Sequence, residues 1–125
     1  MILLDTNFLV FALSPGTAED QKLRALLSAN ETVNVSSIVW AEFLCGPVTP
    51  AQVALANVLF PRAEPFIADD GARAAELFNG TGRRRGSLAD SMVAAISLRP
   101  HAPLATNDVA DFQRFIPWGL SLLPP

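Results

Sequence analysis

Three consecutive apolar residues, Ile2-Leu3-Leu4, run straight into Asp5-Thr6-Asn7 and then into Phe8-Leu9-Val10-Phe11-Ala12-Leu13. The first run does not alternate, which is the pattern of a strand covered on both faces, and such strands belong to parallel sheets. A carboxylate therefore stands where a buried strand hands over to a helix. In open α/β sheets the carboxyl ends of the strands line the crevice used for ligands. A simpler role competes: Asp5, Thr6 or Asn7 can cap the following helix by accepting from its free N–H groups. The choice between the two turns on whether other acidic residues fall at equivalent junctions.

Further along, the chain alternates strand and helix signals. Ser14-Pro15-Gly16 makes a turn, and Thr17 caps a helix from about Ala18 to Ala29 with Leu23, Leu26 and Leu27 on its apolar side. Val33-Asn34-Val35 reads as a short strand, and Ser36 or Ser37 caps the helix Ile38 to Cys45, which Gly46-Pro47 ends. Glu42 is the odd residue there, set among Trp40, Phe43 and Leu44. A charge inside an apolar helix needs a partner, since desolvating it costs several kcal/mol or shifts its pKa. A snorkelling or salt-bridged glutamate is the plain alternative, but the only lysine is Lys22 and no arginine lies nearby in sequence.

Pro50 to Leu59 is a further helix, Phe66-Ile67 is too short to assign as a strand, and Asp69-Asp70 open a helix from Gly71 to about Asn79. Acidic residues in a first turn are explained by the helix dipole, so that pair is assigned to structure. Gly80-Thr81-Gly82-Arg83-Arg84-Arg85-Gly86 is the one flexible, strongly basic stretch. It is either a solvated loop or a contact for a phosphate backbone or an acidic partner segment. Ser87-Leu88-Ala89-Asp90 begins a helix running to Leu98, and S-x-x-D is also a capping box, in which Asp90 would only bond back to the Ser87 N–H. His101, between Pro100 and Pro103, sits in a surface turn. Leu104-Ala105 is a last core strand ending in Thr106-Asn107-Asp108, before a short helix carrying Asp111-Phe112. The opening arrangement is thus repeated. The stretch Pro117 to Pro125 offers an edge strand.

With 125 residues, the chain has the size of a single domain, burying roughly two-thirds of the surface its unfolded form exposes. It is 50% hydrophobic with a mean hydropathy of +0.32, which excludes disorder and predicts an unusually apolar surface patch, of the kind a dimer or a standing partner covers. The net charge of −3 provides no overall basic field for nucleic acid, so any such binding must come from local charge. Cys45 is the only cysteine; no intrachain disulfide can form, and its setting after Phe43-Leu44 predicts a small buried hydrophobe. A single reduced cysteine, no apolar stretch long enough to span a bilayer and no basic leader lead to the expectation of a soluble cytoplasmic protein.

Four carboxylates, Asp5, Glu42, Asp90 and Asp108, each occupy a strand end or the early part of a helix. If the strands are parallel, these side chains converge on one edge of the sheet in an acidic pocket. Carboxylates at such range repel one another and raise each other's pKa, so the pocket calls for a cation. Mg²⁺ or Mn²⁺ is the natural one, taking oxygen ligands beside substrate phosphates, whereas zinc is disfavoured by the scarcity of Cys and His. A metal so held can activate water and stabilise the leaving oxygen in phosphodiester cleavage. With no tyrosine and one poorly placed histidine, a metal-free nuclease does not fit, and no G-x-S-x-G elbow marks a serine hydrolase.

The stretches Met1 to Asn7, Val35 to Phe43, Leu88 to Ala95 and Leu104 to Phe112 resemble, in order, the four motif blocks of the PIN domain, and most of all its VapC branch, the toxins of type II toxin/antitoxin systems. The resemblance implies a single PIN-like domain over residues 1–125, a central parallel sheet flanked by helices, and an Mg²⁺- or Mn²⁺-dependent endoribonuclease. It puts Asp5, Glu42 and Asp90 on the acidic core as catalytic metal ligands, with Asp108 chosen as the fourth and Asp111 as second choice. Thr6 and Thr106 would orient carboxylates or substrate. It also implies an RNA substrate, a homodimer, and a VapB-type antitoxin whose C-terminal segment occludes the groove. Receiver domains, which need an acidic pair after the first strand and a late lysine, fit poorly, and so do haloacid dehalogenase-like phosphatases, which need an aspartate where Asn7 stands. A PIN-like binding module without activity is the stronger rival.

Overall fold

The first strand, β1 (Ile2–Leu4), is buried along its whole length, and it lies at the centre of a three-stranded parallel sheet. The computed structural model describes all 125 residues, Met1 to Pro125. On one side Ile2, Leu3 and Leu4 register with Val33, Asn34 and Val35 of β2 (Val33–Val35); on the other, Leu3 and Leu4 register with Leu104 and Ala105 of β3 (Leu104–Ala105). A strand hydrogen-bonded on both edges and covered on both faces leaves no polar position, which is why its sequence is an unbroken apolar run. Single parallel bridges extend the sheet outward, from Ser36 to Glu64 beyond β2 and from Leu104 to Leu122 beyond β3.

The helices follow the chain order expected of crossovers between parallel strands. α1 (Thr6–Ala12) and α2 (Ala18–Ser28) lead from β1 to β2, with Thr17 capping α2 by accepting from the Asp20 N–H. Between β2 and β3 come α3 (Ser37–Cys45), α4 (Pro50–Leu59), α5 (Ala68–Gly80) and α6 (Leu88–Leu98), and after β3 come α7 (Val109–Phe112) and a 3₁₀ helix over Gln113–Trp118. Ser36 is the cap of α3, accepting from the Val39 N–H, while Ser37 Oγ accepts from the Phe66 N–H at 3.0 Å and ties α3 to the segment leading into α5.

α6 is the most deeply set helix, with Val93, Ala94, Ala95 and Ile96 buried together with Ser91 and Ser97. Its small side chains let α5 lie close along it. The two buried serines satisfy their hydroxyls within the helix, Ser91 on the Ser87 carbonyl and Ser97 on the Val93 carbonyl. A single cluster of 25 buried hydrophobic residues runs from β1 through α6 to Phe112 and Phe115.

Several expectations are corrected. The α1 helix begins at Thr6 and ends at Ala12, and α5 begins at Ala68, because Asp70 accepts from the Ile67 N–H and so organises the turn ahead of it. Asp70 is also more than a dipole partner: it is 2% exposed and takes two hydrogen bonds from Arg99, at 2.9 and 3.1 Å. Cys45 is exposed, since it falls on the last turn of α3 facing away from the core that Val39 and Phe43 fill. Of the C-terminal stretch only Leu122 pairs with the sheet; Pro117 and Trp118 belong to the 3₁₀ helix, which Gly119 closes with a φ of 108°. Finally, Ser87 and Asp90 form no capping box. Ser87 directs both its hydroxyl and its N–H to the Arg84 carbonyl, so Asp90 is free to face elsewhere.

Candidate active site

All four carboxylates singled out in the sequence line one cleft of about 450 Å³ at the carboxyl edge of the sheet. Asp5 stands where β1 ends, Asp108 just after β3, Glu42 on α3 and Asp90 in the first turn of α6. Parallel strands put their carboxyl ends on one side, which is what brings residues more than a hundred positions apart into a shared space.

Asp5 sits at the N-cap of α1 yet makes no side-chain cap hydrogen bond. Its Oδ2 instead accepts from Thr106 Oγ1 at 2.9 Å, and its backbone N–H continues the ladder to the Ala105 carbonyl. The residue is 6% exposed, and its carboxyl is raised to about 6. Burial is the main cause, opposed by hydrogen bonds from the Thr6 backbone and the Thr106 hydroxyl and reinforced by the charges of Asp108 and Asp90. Asp90 is raised as well, by burial, against the lowering influence of Arg114 and with the charges of Asp111, Glu42 and Asp108 adding to the shift.

Glu42 is exposed on the cleft side of α3, not desolvated in an apolar surround as its sequence setting predicts. It accepts from Thr6 Oγ1 at 3.0 Å and enters no ion pair. Asp108 accepts from Asn7 Nδ2 at 2.8 Å, and its own N–H donates to Thr106 Oγ1. The two strand-end triplets therefore hold each other: Thr106 holds Asp5, Asn7 holds Asp108, and Thr6 reaches across to Glu42. Asp111 lies outside this cleft. It lines a smaller one beside Asp90 and stands 3.8 Å from Arg84.

Two residues that sequence reasoning gave no part in the site belong to its geometry. Asn7 was visible in the repeated strand-end pattern, since an amide two positions past Asp5 is placed to reach the second strand end. Arg114 had no such signal. Its guanidinium lies 3.5 Å from Asp90 Oδ2, yet nothing in Gln113-Arg114-Phe115 marks it out in the sequence. Of the arginine run, Arg83 turns back onto α5, donating to Asn79 and lying over Phe78, while Arg84 faces Asp111.

The donor set is entirely oxygen, which suits a hard divalent cation, and the Asp5 and Asp90 carboxyls are raised chiefly by burial, with the neighbouring carboxylates adding to the shift. The acidic side chains line the cleft without any three closing on a common point. A cation held there would complete its shell with water or phosphate oxygens, the usual habit of Mg²⁺.

A parallel α/β core with carboxylates gathered at its strand ends is the architecture of a known class, and the PIN domain profile matches residues 2–115. The chain belongs to the PIN domain family. Among solved structures it is similar to VapBC2 from Rickettsia felis, bound to a promoter DNA fragment, with 26% identity, a TM-score of 0.74 and 98% of each chain covered. FitAcB from Neisseria gonorrhoeae aligns with a TM-score of 0.73 at 24% identity, over 100% of this chain and 98% of that one. DNA-bound VapBC from Salmonella typhimurium gives 0.73 at 20% identity, over 98% of each chain. These last two likenesses are ones of fold. No curated protein matches the sequence. No helix is long and apolar enough to cross a membrane.

Proposed function

We propose that this chain, as a single PIN-like domain over residues 1–125, is the VapC-type toxin of a toxin/antitoxin pair and a divalent-metal-dependent endoribonuclease acting in the cytoplasm. The observation that carries the reading is the convergence of Asp5, Glu42, Asp90 and Asp108 on one cleft, with Asp5 buried and its carboxyl raised to about 6. In this reading Mg²⁺ or Mn²⁺ would be held among those four side chains, with water and phosphate oxygens completing its shell, and would supply Lewis-acid stabilisation and an activated water for phosphodiester hydrolysis.

The chain's own residues do the positioning. Thr106 fixes the Asp5 carboxylate, Asn7 that of Asp108, and Thr6 that of Glu42, so each of these three carboxylates is held through one oxygen. Val10, Phe43 and Val48 form an apolar wall that limits water around the acidic groups. The similarity to VapBC and FitAB assemblies supports a VapB-type antitoxin as partner. The exposed Phe11, Leu44, Leu55 and Val58 supply apolar surface for that contact and for a homodimer.

The test is cleavage of a panel of cellular RNAs by antitoxin-free protein with Mg²⁺, Mn²⁺ or EDTA, with Asp5→Asn as control for contaminating nuclease. Metal-dependent cuts absent from the variant are expected. No cleavage by a folded protein that binds Mn²⁺ would overturn the nuclease and favour a PIN-like binding module.

A further inference from the structure

Arg114 carries the largest unmet hydrogen-bonding demand in the molecule. Its Nε, Nη1 and Nη2 are all sealed from solvent, and none has a hydrogen-bond partner; no other buried side-chain nitrogen or oxygen is left so. The guanidinium packs 4.7 Å from the Phe115 ring centroid and 3.5 Å from Asp90 Oδ2, near enough for attraction between charges but without a hydrogen bond. Unpaired donors on a buried charged group are costly, so they call for an anionic acceptor.

The surroundings are built for one. Arg114 borders a cleft of about 130 Å³ with no apolar residue in its lining, shared with Arg84, Arg85, Asp90 and Asp111. Three guanidinium groups face two carboxylates, and the Arg84–Asp111 pair is also long, at 3.8 Å. Asp90 lines both this cleft and the acidic one, so the two open beside each other.

We infer that Arg114, with Arg84 across the cleft, forms a phosphodiester subsite that holds an RNA phosphate adjacent to the one cut. This rests on the nuclease reading given above. Arginine's planar fork matches two phosphate oxygens at once. The Arg114 nitrogens are covered in the free protein, so the guanidinium turns out into the cleft as the phosphate enters.

The experiment measures binding of a labelled single-stranded RNA oligonucleotide to the full chain across a salt series, in the Asp5→Asn background so that the probe stays intact. Arg114→Gln is expected to weaken binding about tenfold and to make the slope of log K against log salt shallower by about 0.7, the loss of one phosphate contact on a single strand. Arg84→Gln, on an exposed loop, should shift both in the same direction with no risk to the fold. Arg114→Lys should keep the slope and lose affinity, because charge remains and the fork does not. Unchanged affinity and slope in Arg84→Gln and in either Arg114 variant that folds would overturn the subsite, as would an absence of RNA binding by the parent. Cleavage of the same RNA by the unsubstituted protein with Mg²⁺ is scored separately. Cleavage with unaltered slopes removes the subsite alone, whereas altered slopes without cleavage remove the nuclease and leave Arg114 and Arg84 as an RNA-phosphate contact of a binding module.

Discussion

Thr106 Oγ1 donates to Asp5 Oδ2 at 2.9 Å, joining the ends of two parallel strands that lie 101 residues apart. Because the same hydroxyl accepts from the Asp108 N–H, one side chain sets the spacing between the first and last acidic positions. The carboxylates of this cleft are thus held by uncharged donors, and only Asp90 faces a cation.

Asp5 makes stability depend on pH. Its carboxyl moves from 3.8 to about 6 on folding, so the folded protein binds the proton more tightly. The resulting penalty is absent below the unfolded value, grows between about pH 4 and 6, and is complete above it, at a cost on the order of 3 kcal/mol. Asp90, raised in the same direction, adds to the trend. In EDTA, Asp5→Asn is expected to gain on the parent as pH rises through this window. Urea denaturation at several pH values reads the gap, and a gap constant with pH would refute the assignment.

Adding Mn²⁺ should reverse that trend. A cation bound only by the folded state stabilises in proportion to its occupancy, by about 2.7 kcal/mol at a hundredfold excess over Kd. The melting temperature of the parent should rise on titration, and that of Asp5→Asn should not. An equal rise in both would place the metal elsewhere.

Asn7 acts by holding Asp108 and is not itself acidic. Asn7→Ala removes one exposed hydrogen bond, so the fold should persist, while cleavage and Mn²⁺ affinity each fall by about 10- to 100-fold. Calorimetry of Mn²⁺ binding separates this from a general loss of structure.

Asp90 plays no part in capping α6, because Ser87 is bonded to Arg84 instead. Asp90→Asn is therefore expected to keep the fold and to abolish cleavage. Unaltered cleavage by the folded variant would return Asp90 to a purely structural role.

Gly80 is needed for a reason outside the site. A Cβ there would collide with the six-membered ring of Trp118, whose indole also packs under Arg73. Gly80→Ala should destabilise by about 1–3 kcal/mol through this overpacking. Tryptophan fluorescence during denaturation would register both the loss and the displaced ring.

Much of the protein was legible in sequence for a local physical reason. An unbroken apolar run such as Ile2 to Leu4 is stable only when covered on both faces, and Thr17 and Ser36 start helices by hydrogen bonds within three residues of themselves. Those signals need no knowledge of the rest of the chain. They were enough to order the elements and to place Asp5 and Asp108 after strands and Asp90 in a first helix turn, while Glu42 falls in the second half of α3. The short edge bridges at Glu64 and Leu122 escaped them, since a single pairing leaves no period in the sequence.

What only the tertiary structure decided was which of several chemically equivalent roles each residue takes. Ser87-x-x-Asp90 reads as a capping box until Ser87 is found on Arg84. Glu42 sits in an apolar sequence yet faces the open cleft, and Cys45 follows Phe43 yet is exposed, because a helix buries one side and sequence neighbours point to different sides. Asp108 lines the acidic cleft and Asp111, three residues on, does not. Arg114 gained its place beside Asp90 purely from the folding of the last helices onto α6. Local hydrogen bonding and hydrophobic period are written along the chain, whereas the direction in which a charge points depends on where distant elements pack.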